Sequence, residues 1–91
     1  MDSNLNTLQQ LMTISAEECG ELIHVCMKYM RNYTDISQIT EESRKKLVEE
    51  AGDVLCMINL MKEYNLISDA ELDERVIEKH NKLKKWSSLF K

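Results

Sequence analysis

Ninety-one residues carry no proline and only two glycines. Proline and glycine are the residues that most often interrupt or end a helix. A chain so poor in both runs as helix almost throughout. Apolar positions support this. Leu8, Met12, Cys19, Leu22, Cys26 and Met30 recur at helical steps within a first segment from about Leu5 to Met30. Ser3 or Asn4 is the candidate cap at its start. The stretch from Asn32 to Ile39 is rich in turn and capping residues and reads as a loop with room for one short helical turn. Thr40 then caps a second helix, with Glu41 and Glu42 in the acidic first turn and Leu47, Ala51, Val54, Leu55, Ile58 and Met61 as its apolar positions. That helix ends near Tyr64-Asn65, where asparagine tolerates the left-handed conformation. Ser68-Asp69-Ala70-Glu71 is a capping box opening a last helix, striped by Leu72, Val76, Leu83, Trp86 and Phe90. The expected fold is all-α. It is an antiparallel helical bundle of three to five helices in a single domain, residues 1–91.

A domain this small buries only about 60% of its unfolded surface. Oligomerisation is the expected support. Disulfides are not, because Cys19, Cys26 and Cys56 are odd in number and form no C-x-x-C pair. They read as buried, reduced thiols, which points to the cytoplasm, or the host cytoplasm for a viral protein. No apolar run is long enough to span a membrane. The N-terminus lacks the pattern of a signal peptide. A formal net charge of −4 argues against non-specific nucleic-acid binding. Charge is uneven, however, with five lysines and no acid from Lys79 to Lys91.

Both glycines stand at the same place in two matched hexads, Glu17-Glu18-Cys19-Gly20-Glu21-Leu22 and Glu49-Glu50-Ala51-Gly52-Asp53-Val54. Each glycine costs a helix interior about 1 kcal/mol. The pair predicts a close backbone approach, by another helix or by a ligand. Acids three apart share a helix face, so Glu18 aligns with Glu21 and Glu50 with Asp53. In an antiparallel pair of helices these four carboxylates converge. No base stands four residues after any of the inner acids. Unpaired carboxylates so close repel, and a divalent cation relieves them. Hard oxygen ligands favour Mg²⁺ or Mn²⁺. Either hexad alone would pass as a solvated acidic helix face. In that case the chain is a non-catalytic interaction or oligomerisation module. Glu21-Leu22-Ile23-His24 also admits a di-iron carboxylate bundle, but the second Glu-x-x-His is missing, since Ile77 stands three before His80. Gln10, two turns before Glu17, is a candidate for a base edge or a solvated side chain. Trp86 is a candidate for base stacking or for core and interface packing, and Tyr29 and Tyr33 are similarly open.

The Glu17-Glu18-x-x-Glu21 helix followed by Glu50-x-x-Asp53, with the closing segment Glu78-Lys79-His80-Asn81-Lys82-Leu83-Lys84-Lys85-Trp86, resembles the MazG-like all-α nucleoside triphosphate pyrophosphohydrolase superfamily over roughly Gln9 to Trp86. The resemblance implies a (deoxy)nucleoside triphosphate cut to the monophosphate and pyrophosphate. It implies Glu18, Glu21, Glu50 and Asp53 as metal ligands, and Glu17 as a further ligand or the group orienting the attacking water. It offers Lys79, Asn81, Lys82 and Lys84 for the phosphates, and a homodimer or a tetramer of dimers with sites completed across chains. Lysine stands at some tail positions where that family often has arginine, which removes bidentate phosphate contact there.

Overall fold

The computed structural model describes residues 4–90, and among them every regular element is helical. Helix α1 spans Thr7–Asn32, a 3₁₀ turn spans Ile36–Gln38, α2 spans Glu41–Glu63 and α3 spans Asp69–Trp86. The cap of α1 is Asn6, so the expectation of Asn4 is corrected, and Ser3 lies outside the described residues. Asn6 Oδ1 accepts from the Gln9 N–H at 2.8 Å while Gln9 Oε1 accepts from the Asn6 N–H at 3.0 Å, a reciprocal box that satisfies two donors. The other expected ends are present. Thr40 Oγ1 accepts from the Ser43 N–H, Ser68 pairs with Glu71, and Asn65 is left-handed at φ 60°.

The chain divides into two compact units, Met1–Leu60 and Met61–Lys91. In the first, α1 and α2 form an antiparallel hairpin. The Tyr29 hydroxyl donates to the Ser43 carbonyl at 2.7 Å, the Tyr33 hydroxyl pairs with Ser43 Oγ at 2.7 Å, and the two rings meet edge-on at 5.4 Å. This clasp sets the register of the pair. About three helical turns back from Tyr29 stands Glu18, and two to three turns on from Ser43 stand Glu50 and Asp53.

The inward stripe of α1 is Leu11, Ser15, Glu18, Leu22, Val25 and Tyr29, and that of α2 is Ser43, Leu47, Glu50, Val54 and Met57. Both alternate three- and four-residue steps, the spacing of a packed helix seam. This corrects the sequence expectation for α1. The stripe built on Leu8, Met12, Cys19, Cys26 and Met30 adjoins the inward one and lies exposed, with Leu8 at 56% and Met30 at 73%. The apolar arc of α1 is wide enough for two seams, and α2 fills one. For the same reason Cys19 and Cys26 are exposed rather than buried, and Cys56 on α2 is exposed as well. The core is correspondingly thin, with Leu11, Val25 and Met57 as its buried apolar side chains.

In the second unit, Lys62 Nζ pairs with Asp69 Oδ1 at 2.9 Å, and Lys79 Nζ lies 5.1 Å from the Trp86 ring centre. Trp86 is exposed, which excludes the expected core role within this chain. Phe90 lies beyond the end of α3, its ring 4.1 Å from that of His80, so it is not part of the helical stripe.

Candidate metal centre

Glu50 occupies a core position of the α1–α2 seam and is only 4% exposed. A buried carboxylate is costly unless it is paired or ligated. One oxygen is paired: Lys46 Nζ sits 2.9 Å from Glu50 Oε1, and also 3.5 Å from Glu49 Oε2. The other, Oε2, is buried and has no hydrogen-bond partner among the described residues. Glu50 and the exposed Asp53 on α2 meet the half-buried Glu18 on α1, and each offers an oxygen within 4.8 Å of the others. Burial, the charges of Asp53 and Glu50, a hydrogen bond with Asp53 and the nearby Glu21 together push the Glu18 carboxyl above its ordinary range. Three carboxylates with hard oxygen donors, one of them on a buried residue that also carries an orphaned oxygen, fit a divalent cation such as Mg²⁺ or Mn²⁺.

The expected four-acid set is thus brought together in three members. Glu21 is exposed and instead lines a cleft of about 630 Å³ with His24, Lys28, Tyr33, Lys46 and Glu49 among others. Glu17 is exposed, and Glu49 is an exposed partner of Lys46. The expectation of unpaired inner acids is corrected for Glu50, whose base stands four residues before it rather than after. A search of the helix in both directions would have found Lys46 in the sequence. Gln10 is half-buried and donates its amide to the Leu5 carbonyl at 2.8 Å, which leaves its own carbonyl as the acceptor for any ligand. Lys79, Asn81, Lys82 and Lys84 are exposed on α3 in the second unit.

The glycines behave differently from expectation. A Cβ on Gly20 or on Gly52 would meet nothing within 4 Å, so no part of the described chain approaches either one closely. Neither has a positive φ.

No helix among the described residues is long and apolar enough to cross a membrane. No curated protein and no solved structure matches the chain. The family model for the MazG nucleotide pyrophosphohydrolase domain matches residues 6–86, a span that contains both acidic hexads and α3. This all-helical chain, with its carboxylates gathered between α1 and α2, belongs to the family of MazG nucleotide pyrophosphohydrolase domains.

Proposed function

We propose that the chain hydrolyses a (deoxy)nucleoside triphosphate to the monophosphate and pyrophosphate, with Mg²⁺ or Mn²⁺ held by Glu18, Glu50 and Asp53 and with Glu21 as a fourth ligand. The observation that carries this reading is Glu50, a buried carboxylate with one oxygen left without a partner, grouped with two more carboxylates in a member of this family. A bound divalent ion would supply charge neutralisation for the triphosphate and a more acidic water. Water adds to the α-phosphorus, the bridging P–O bond to the β-phosphate breaks, and pyrophosphate departs. Glu17, exposed beside Glu18, is assigned to orient that water and take its proton. Lys79, Asn81, Lys82 and Lys84 are assigned to the phosphates as point charges and donors. Gln10 is assigned to the base edge through its carbonyl oxygen.

The family match spans both units, which supports residues 1–91 as a single functional domain. The exposed stripe of Leu8, Met12, Ile23, Met27 and Met30 on α1 supports assembly as a homodimer or a tetramer of dimers, because a contiguous apolar surface of this kind marks an interface. A panel of common and modified nucleoside triphosphates, assayed for pyrophosphate with Mg²⁺ and with Mn²⁺, tests the activity. At least one should yield pyrophosphate, and Glu50→Gln and Asp53→Asn should each lose on the order of a hundredfold or more. An inactive wild type across the panel, or full activity in both variants, would refute it.

A further inference from the structure

Lys46 joins the carboxylate cluster to the cleft. Its ammonium contacts Glu50 Oε1 at 2.9 Å and Glu49 Oε2 at 3.5 Å, and its side chain lines the cleft. Lys46 is about half exposed, while the Glu50 side chain is 5% exposed. The contact is therefore asymmetric. A flexible surface lysine with many alternatives in water satisfies one oxygen of an interior carboxylate that has few. Only one oxygen is satisfied. The second stays buried without a partner, in a carboxylate that gathers with those of Glu18 and Asp53.

We propose that Lys46 is a positioning residue for the metal centre: by holding Oε1 it fixes the Glu50 carboxylate and reserves Oε2 for the ion, so that Glu50 ligates through one oxygen only. The inference rests on the metal-site reading above. It goes further by naming the outer partner of a ligand and the denticity that partner imposes. Outer partners of metal ligands commonly govern affinity by 10- to 100-fold. Two effects oppose each other here. The ammonium repels an incoming cation, and its removal on that ground alone would tighten binding. Loss of the anchor frees a buried carboxylate to rotate or to be held by other groups, which weakens binding. The ammonium is screened by its own contacts with Glu49 and Glu50 and is partly in water, so its repulsion of the ion is damped. The anchoring effect therefore dominates.

Titration of the full chain with Mn²⁺ by calorimetry decides the matter, with Glu50→Gln as the ligand control and circular dichroism as the fold control. Wild type should bind, and Glu50→Gln should not. Lys46→Met should bind about tenfold more weakly at unchanged helicity. Lys46→Arg, which keeps a charged donor of sufficient reach, should bind within about twofold of wild type on the same scale. Should Lys46→Met lose helicity, Lys46→Gln carries the test, because its amide can donate to Oε1 without charge; it should fall between Met and Arg. Equal or tighter binding by the Met or Gln variant overturns the proposal while the metal site stands. No Mn²⁺ binding by wild type overturns both.

Discussion

Glu18 of α1 and Asp53 of α2 face each other across the hairpin, with carboxylate oxygens no more than 4.8 Å apart and Glu50 completing the group. Burial and these like charges raise the Glu18 pKa in the folded chain. The folded state therefore keeps a proton that the unfolded state has already released. The stability contributed by protonated Glu18 is fully present below the ordinary carboxylate range and is lost as pH rises through its raised folded value. The melting temperature of the metal-free protein should fall across that window. Glu18→Gln should flatten that part of the profile, and Mn²⁺ added at its upper end should recover the loss in wild type only. Superimposable profiles of wild type and variant without metal would contradict this.

Gly20 and Gly52 lie inside helices, with open space where a Cβ would stand. Alanine there removes backbone freedom from the unfolded chain without a clash in the folded one. Each of Gly20→Ala and Gly52→Ala should stabilise the protein by about 1 kcal/mol, read as a rise in thermal midpoint of roughly 4–8 °C for a domain of this size. A fall at either position would mean that something outside the chain packs against it.

Ile23 is 62% exposed in the middle of the uncovered α1 stripe. A lysine there leaves the α1–α2 seam untouched but charges the exposed face. Ile23→Lys should reduce the mass seen by light scattering at equal protein concentration and leave helicity unchanged. Unaltered mass would move the assembly surface away from this stripe.

Much of the local structure was legible before any fold was in view. Thr40, Asn65 and Ser68 announced their caps because capping depends on a hydrogen bond within three residues and on one backbone angle. The pairing of Glu18 with Glu50 and Asp53 was legible because three-residue spacing and an antiparallel hairpin follow from the pattern. Glu21 did not join the three. It shares a broad face with Glu18, but a seam is narrower than a face, and one helical turn away Glu21 turns toward the cleft. The cysteines were misplaced for the same reason that the α1 stripe was. Apolar character shows that a side chain gains by burial and leaves open which neighbour provides it.

By itself the sequence determined that this chain is helical, where its second and third helices start, and that its acids come in matched pairs. These are properties of a few neighbouring residues and of the rotation per residue along one helix. Tertiary structure alone decided that Glu50 lies inside with one oxygen orphaned and that the apolar arc of α1 is half used. Those outcomes depend on which of two adjoining seams α2 occupies, and the Tyr29 and Tyr33 clasp on Ser43 sets that register across the hairpin.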